Sequence, residues 1–340
     1  MSIDGFKNTT IHEKTSRPLE LFTNIPRYRL LNLTTPVERL DRLRQAIPGA
    51  PQLWIKRDDL TGYLSGGNKL RKLEYVFADA LLRGATTIVT TGSITSNLAR
   101  TAALIARRLG LRCELVLSGG EPKSARANSR VAELLDVKIH SVASSNERSS
   151  RMKDVARKLE ERGEQVYQIP LGASNEIGSF GMVAAFEELG IQQLEVGEQF
   201  DAIVFATSSG GTQAGLEVGK RLFHYGHMRL MGVSADDPAD TIRENVLDAV
   251  RPMLSVLERA DVPTLGELFV DDKFIGDGYA IPTRESEEAG KLFAETEGIL
   301  LDPVYTSKAA AGLIAYCREG RFKATDRVLF WHTGGVLSLL

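Results

Sequence analysis

SGGNKLRKLEY, residues 65–75, is the stretch of this 340-residue sequence that says most about its fold. Its paired glycines let the backbone pass close to a ligand, and they place Lys69 at the start of a predicted helix, Lys69 to Leu82. The positive end of that helix, with Arg71 and Lys72 nearby, is expected to depress the pKa of Lys69, as a nucleophilic lysine requires. An ordinary basic first turn of a helix gives the same pattern, so this segment alone leaves both interpretations open.

Outward from this stretch, short β-rich runs alternate with longer segments of helical period. That order is typical of α/β proteins with parallel sheets. The predicted strands are Leu53 to Lys56, Thr86 to Thr91, Cys113 to Leu117, Lys138 to Val142, Gln165 to Ile169, Ala202 to Ala206, Leu230 to Ser234 and Val328 to His332. Besides Lys69 to Leu82, the predicted helices include Ser96 to Leu109, Ser124 to Leu135, Ser149 to Glu161, Ser179 to Leu189, Thr212 to Phe223, Ala239 to Glu258, Arg284 to Glu297 and Ser307 to Gly320.

A chain of this length is long for one hydrophobic core. We expect an α/β fold of two three-layer α/β/α lobes with largely parallel sheets. The large lobe is assigned to residues 1–72 and 178–340, the small lobe to residues 73–177, and residues 1–20 are expected to be disordered. A ligand site is expected in the cleft between the lobes, where small-molecule sites tend to lie.

Composition excludes several classes of function. The net charge of -2 supplies no electrostatic attraction to nucleic acid or to an anionic membrane. The polar start of the chain lacks the apolar centre of a secretory signal, and no later stretch approaches the ~20 apolar residues of a spanning helix, so we expect a cytoplasmic protein. Cys113 and Cys317 stand apart, and the histidines form no ligand motif, so the sequence gives no support for a metal site.

A second loop, TGSITSN at Thr91 to Asn97, follows a predicted strand and opens a predicted helix. Free N–H groups and hydroxyl side chains at a helix start suit a carboxylate or a phenolic oxygen. Taken alone, however, the loop is explained better by Ser96 or Asn97 acting only as a helix cap.

A third loop, ATSSGGT at Ala206 to Thr212, joins an apolar predicted strand to a helix. Two glycines, several hydroxyls and stacked N–H donors at a helix start describe a phosphate site. The loop lacks the GK[ST] ending of a nucleotide P-loop and the GxGxxG spacing of a dinucleotide fold. Phosphate binding without nucleotide hydrolysis is therefore predicted.

Six ordered motifs together resemble the tryptophan-synthase-β-like pyridoxal-phosphate enzymes, and within them the group of D-cysteine desulfhydrase and 1-aminocyclopropane-1-carboxylate deaminase. The resemblance runs from about Pro26 to the C-terminus. Its motifs are KRDDLTG (56–62), GGNKLRKLEY (66–75), TSNLAR (95–100), SSGGTQAG (208–215), EGILLDPVYTSKA (297–309) and HTGG (332–335).

The resemblance implies pyridoxal 5'-phosphate as cofactor, a small amino acid as substrate and a homodimer as assembly. It implies that Lys69 forms a Schiff base with the cofactor and moves protons at the substrate α-carbon. The cofactor would also be bound by Asn68, Asn97, Ser208, Ser209, Gly210, Gly211 and Thr212, with Thr306 and Thr333 near the pyridine nitrogen. The substrate would be bound by Thr95, Ser96, Asn97 and Leu98, with Ser96 on its carboxylate and Tyr279 and Tyr305 near its leaving side.

Two positions favour one branch of this group. The deaminases carry Glu and Leu where this chain has Thr306 and Thr333, and a hydroxyl near the pyridine nitrogen offers only a neutral hydrogen bond. The resemblance therefore implies a β-eliminating lyase of the D-cysteine desulfhydrase type. A cyclopropane-opening deaminase, a β-replacing synthase and a catalytically silent binding protein are the alternatives.

The sequence departs from the family pattern at three positions, two of them near the predicted substrate carboxylate and one, Ser208, in the phosphate-binding loop. Thr95 stands where Gln is usual, Leu98 where His or Gln is usual, and Ser208 where Gly is usual. Leucine cannot donate a hydrogen bond. D-Cysteine is therefore in doubt as the substrate, and we expect an amino acid with a bulkier or differently charged β-group.

Overall fold

Two separate β-sheets form the frame of the protein, whose computed structural model describes residues 17–31, 33–119 and 131–339. The larger sheet has the strand order β1-β2-β10-β7-β8-β9, and the smaller has the order β5-β4-β3-β6. All neighbouring strands run parallel except β1 and β2. The strands are β1 Val37–Arg39, β2 Gln52–Arg57, β3 Thr87–Ser93, β4 Arg112–Ser118, β5 Lys138–Val142, β6 Val166–Ile169, β7 Ala202–Thr207, β8 Arg229–Ser234, β9 Phe269–Asp271 and β10 Arg327–His332.

Each sheet is covered on both faces, as the alternation of its apolar residues requires. In the larger sheet, Val204 and Phe330 pack into one cluster with the helices at Arg284–Glu297 and Thr306–Arg318, while their neighbours Phe205 and Trp331 pack on the opposite face. In the smaller sheet, the same alternation separates two clusters: Ile88 packs with Leu98, Ile105 and Ala106, whereas Val89 packs with Met152, Val155 and Leu159. The prediction of an α/β fold with two three-layer units is confirmed.

All eight predicted strands and eight of the nine predicted helices are found, most with ends shifted by two residues or fewer, while the helix predicted at Ser179 to Leu189 is longer and spans Glu176–Val196. The ninth predicted helix, Ser124 to Leu135, lies mostly outside the described residues. The principal helices are Asp41–Ala46, Asn68–Leu82, Asn97–Arg108, Arg148–Glu160, Glu176–Val196, Gly211–Leu222, Ala239–Val256, Arg284–Glu297 and Thr306–Arg318. The sequence analysis missed β1 and β9, which have only three residues each.

The smaller sheet lies within residues 73–177 and the larger sheet outside them, while the exact lobe boundaries stay a prediction. Residues 1–16 lie outside the described residues, and residues 17–23 are helical, which is at odds with the disorder expected for 17–20. Across the described ranges, the longest apolar helices fall short of what a bilayer crossing requires.

A buried charge network fixes the start of the lysine helix, Asn68–Leu82, against the larger sheet. Arg71 donates two hydrogen bonds to the carboxylate of Asp58, with Nε and one terminal nitrogen 2.8 and 2.7 Å from its oxygens, and both side chains are buried. The terminal nitrogens of Arg71 also lie 3.0 Å from the carboxylate of Glu188, which is paired in turn with Lys56. Burial alone would raise the pKa of Glu188, but Arg71 and Lys56 hold it at about 2.

Replacing Arg71 with Met should lower the free energy of unfolding by about 3–5 kcal/mol, because Asp58 would stay buried without its cation. Denaturation in urea measures the change. Arg157→Gln is the control, since Arg157 and Glu161 form an exposed pair of the kind that contributes about 0.5 kcal/mol or less. Equal midpoints for the two variants would contradict the importance of the network.

Candidate active site

A cavity of about 700 Å³ lies where the carboxyl ends of the parallel strands of both sheets meet. Thirteen of the predicted site residues line it: Asn68, Lys69, Thr95, Ser96, Asn97, Leu98, Ser208, Ser209, Gly210, Thr212, Tyr279, Tyr305 and Thr333. Gly211 and Thr306 lie behind its wall. The fold thus brings together residues from the first quarter of the chain to its C-terminal end.

Close backbone contact explains the glycine that precedes Asn68. Gly67 has φ +58, and a Cβ there would lie 2.1 Å from the carbonyl oxygen of Thr333. The N–H of Asn68 donates to that same oxygen over 3.1 Å, and the Asn68 side chain donates to the hydroxyl of Thr212 over 2.8 Å. The segment that leads into Lys69 therefore forms hydrogen bonds both with the C-terminal HTGG motif and with the third loop.

The turn just before these glycines is left-handed. Tyr63, Leu64 and Ser65 have φ values of 56, 54 and 55°, a conformation that costs an L-residue roughly 1–2 kcal/mol. Arg100 donates to the carbonyl of Leu64 over 3.1 Å, and the Ser65 hydroxyl donates to the carbonyl of Asp59 over 3.0 Å. The surrounding contacts hold strained backbone beside Lys69, as is common at functional sites.

Lys69 is partly exposed to the cavity, and its ammonium form is disfavoured there. Desolvation lowers its pKa from 10.5 to about 8, against the opposing effect of the negative charge of Asp236. The lowered pKa of Lys69 is expected from the positive helix end and from Arg71 and Lys72, but burial is its largest cause. A larger fraction of the Lys69 amine is therefore neutral at physiological pH, as is required of an amine that attacks a carbonyl group.

The rate at which the cofactor-free protein takes up pyridoxal phosphate should rise with pH and level off above about 8, because only the neutral Lys69 amine reacts. The appearance of the bound cofactor's absorption after rapid mixing measures this rate. An ordinary lysine would keep gaining reactivity up to its pKa of ~10.4, so a rate still climbing above pH ~9 would contradict the lowered pKa.

The third loop, residues 206–212, precedes and begins the helix Gly211–Leu222 and is called the phosphate loop below. Its geometry is that of an anion-binding site. Gly210 has φ +80, and a Cβ at Gly211 would lie 2.5 Å from the Ser174 hydroxyl oxygen, so glycines are required at both positions. The first turn of the helix has no side-chain cap, which leaves its N–H groups for a ligand. Ser208 instead donates to the carboxylate of Asp236 over 2.6 Å.

Lys72 is a functional candidate that the sequence analysis treated only as a charge near Lys69. It is fully buried and donates to the carbonyl of Gly172 over 3.2 Å and to the Ser174 hydroxyl over 3.1 Å. That hydroxyl lies 2.8 Å from the hydroxyl of Ser209 in the phosphate loop. Burial and the charge of Lys69 lower the pKa of Lys72, and within the described ranges no carboxylate pairs with it. A phosphate in the loop would supply the missing negative charge.

Lys72→Met should weaken the binding of pyridoxal 5'-phosphate by about tenfold or more, the size expected for one interaction with a charged group. Binding of pyridoxal, which lacks the phosphate, should not change, and the cofactor-free variant should be at least as stable as the parent because it buries no unpaired cation. Titration of the cofactor-free proteins with both compounds tests this. Equal weakening of both compounds would exclude a phosphate-specific role.

The second loop combines the two roles that its sequence allowed. Ser96 caps the helix Asn97–Arg108 by accepting a hydrogen bond from the N–H of Ala99 over 3.2 Å, and it also lines the cavity, so its hydroxyl proton can be donated to a ligand. The side-chain oxygen of Asn97 is buried without a hydrogen-bond partner among the described residues. Leu98 lines the cavity but is only 2% exposed and packs in the core of the small lobe.

Hydroxyl groups join the two lobes across the cavity. The Tyr279 hydroxyl lies 2.8 Å from that of Tyr305 and 3.1 Å from that of Ser93, whose oxygen lies 3.0 Å from that of Thr95. Burial and Tyr279 raise the pKa of Tyr305 above its ordinary value, so this hydroxyl keeps its proton. Lys308 holds the loop of Tyr279 by donating to the carbonyls of Ile275 and Gly278 over 2.7 and 2.9 Å.

Thr306 is fully buried and faces a carboxylate. Its hydroxyl donates to Asp302 over 2.7 Å, and Asp302 also accepts hydrogen bonds from the N–H groups of Val304, Tyr305 and Thr306. Thr333, by contrast, lines the cavity. The predicted place of both threonines near a pyridine nitrogen stays a prediction, and Thr333 is the one that a ligand in the cavity can reach directly.

Comparisons with known proteins agree with this geometry. The model of a family described as pyridoxal-phosphate dependent enzyme matches residues 28–334. A crystal structure of an ACC deaminase homologue is 32% identical, with a TM-score of 0.87 over 95% of this chain and 96% of that chain. A fungal L-serine ammonia-lyase from Rhizomucor miehei (16% identity, TM-score 0.64, 90% of this chain and 94% of that chain) and a threonine deaminase from T.th. (19%, 0.61, 95% and 97%) share the fold.

Proposed function

Because the chain belongs to the family of pyridoxal-phosphate-dependent enzymes, we propose that it is a β-eliminating lyase of the D-cysteine desulfhydrase type. It would act on a small amino acid and release a keto acid and ammonia. The observation that carries the proposal is the cavity in which Lys69, the phosphate loop and the Ser96 loop face one another.

The side chains present fit the cofactor that the family binds. The phosphate loop offers N–H groups at a helix start. The side chain of Lys72 contacts the Ser174 hydroxyl, which in turn contacts the hydroxyl of Ser209 in that loop. The side-chain oxygen of Asn97 is a buried acceptor without a partner among the described residues, which fits a side chain that faces a ligand. The predicted bond to the phenolic oxygen would be donated by the amide nitrogen of the same side chain. When bound, pyridoxal phosphate withdraws electrons from the substrate's α-carbon and makes a proton there removable.

Each remaining role falls to a residue that lines the cavity. Lys69 would hold the cofactor covalently and then, as a free amine with a pKa of about 8, take and return the proton at the α-carbon. Ser96 would donate its hydroxyl proton to the substrate carboxylate. The linked hydroxyls of Tyr279 and Tyr305 would supply a proton to the departing group, since Tyr305 is kept protonated by burial.

A deaminase that opens 1-aminocyclopropane-1-carboxylate is the second candidate, because of the likeness to an ACC deaminase homologue. Two observations favour elimination instead. Thr333 presents a neutral hydroxyl to the cavity, and the carboxylate of Asp302 is already satisfied by Thr306 and three backbone N–H groups. Neither provides a free carboxylate to keep a pyridine nitrogen protonated. The homodimer and the cytoplasmic location remain predictions.

The absorption spectrum of the purified protein, with and without Lys69→Ala, tests the proposal first. We expect a visible band of bound cofactor that the substitution alters, and that Lys291→Ala, on an exposed helix face, leaves unchanged. D- and L-cysteine and 1-aminocyclopropane-1-carboxylate are then added, and sulfide, keto acids and new amino acids are assayed. Release of 2-oxobutanoate from the cyclopropane would favour the deaminase. If the protein stays colourless after the cofactor is added, the proposal that it is a pyridoxal-phosphate-dependent lyase is contradicted.

A further inference from the structure

The wall that the small lobe contributes to the cavity carries a single formal charge among its described residues. That charge is the guanidinium of Arg148, the first residue of the helix Arg148–Glu160. The other residues of this wall are uncharged: Ser93 to Leu98, Ser118, Gly119, Ser145, Asn146, Leu171 and Gly172. The two carboxylates of the cavity, Asp236 and Asp237, lie on the opposite wall, at the end of β8 in the larger sheet.

The charge of Arg148 is not paired with an opposite charge among the described residues. It is half-buried, and its Nε donates to the carbonyl of Ser145 over 3.2 Å, which fixes one edge of the guanidinium. Within residues 17–31, 33–119 and 131–339, no carboxylate pairs with it and its two terminal nitrogens have no hydrogen-bond partner. A planar fork with free terminal nitrogens is the group that recognises carboxylates and phosphates.

The strand order of the smaller sheet places the guanidinium of Arg148 beyond the loop that is predicted to bind the substrate carboxylate. That loop follows β3, Ser118 ends β4 and Gly119 follows it, and Arg148 lies after β5. Adjacent parallel strands are about 4.8 Å apart, so the ends of β3 and β5 are separated by roughly 10 Å. An arginine side chain and the side chain of a small amino acid cover such a distance together.

We infer that Arg148 binds an anionic group on the side chain of the substrate, so that the amino acid taken up carries a carboxylate, sulfonate or phosphate on its β-substituent. This inference rests on the proposed function and specifies its substrate class. The short hydroxyl side chain of Thr95 and the apolar side chain of Leu98 are consistent with this inference, because part of the substrate recognition would then lie further along the wall. The two carboxylates of the cavity lie on the opposite wall, where Asp236 is closer in effect to Lys69 and the charge of the exposed Asp237 is screened by solvent.

Binding of unreactive probes tests the inference without relying on turnover. The anionic probe is 2-amino-3-phosphonopropionate, whose carbon–phosphorus bond does not leave readily, and the neutral probe is norvaline, each as both enantiomers. Changes in the absorption of the cofactor-loaded enzyme give the dissociation constants. One enantiomer of the anionic probe should bind about tenfold or more tightly than norvaline, as expected for charge-assisted hydrogen bonds.

Arg148→Gln should remove this preference while changing the affinity for norvaline less than about threefold, and Arg148→Lys should keep part of it, because it retains the charge without the fork. Arg157→Gln, on the exposed side of the same helix, should behave like the parent. Equal affinities for the two probes in the parent, or equal losses for both in Arg148→Gln, would overturn the inference. If the enzyme does not catalyse β-elimination, these dissociation constants can still be measured. The test of Arg148 can therefore fail independently of the proposed function.

Discussion

The buried carboxylate of Asp58 is the interaction on which the rest of the site depends. It accepts hydrogen bonds from Arg71 on the lysine helix, from the Thr35 hydroxyl and from the indole N–H of Trp331 on β10, all within 2.8 Å. None of these residues lines the cavity, yet together they fix the helix two residues after Lys69. A buried charge left without its partner is costly, so this arrangement admits little displacement of the lysine.

The same helical turn contains a second cation whose charge the fold leaves uncompensated. Successive residues of a helix point in different directions, so Lys69 faces the cavity, Arg71 faces Asp58, and Lys72 faces Ser174 behind the phosphate loop. Arg71 is paired with carboxylates, whereas Lys72 meets only a carbonyl and a hydroxyl among the described residues. The protein without its cofactor therefore retains a local electrostatic cost that an anion in the loop relieves. Stability and cofactor binding are coupled through this one residue.

Sequence patterns predicted the framework and nearly half of the residues that line the cavity, but not the residues that lie between the motifs. The long apolar strands and the glycine loops have local signals, which is why their positions agree with the structure. Ser174, Asp236 and Arg148 have none, because they reach the site only through the order of parallel strands. Thr306 shows the opposite problem, since its motif identified a position whose hydroxyl is occupied by Asp302. Spacing along the chain does not reveal which way a buried side chain is turned.

The residues proposed for the reaction and those proposed for substrate recognition are held in place in different ways. The groups that would serve the chemistry are held by backbone contacts and buried bonds, as Gly67 and Asn68 illustrate, so they tolerate little change. The small-lobe wall beyond Ser96 is bounded instead by strand ends and by half-exposed side chains, which can be exchanged without disturbing the core. Leu98 is the exception, because it lines the cavity and also belongs to the hydrophobic core. Recognition that no longer relies on a donor at this position can use a group further along the same wall, and the guanidinium of Arg148, whose terminal nitrogens have no partner among the described residues, lies in that direction.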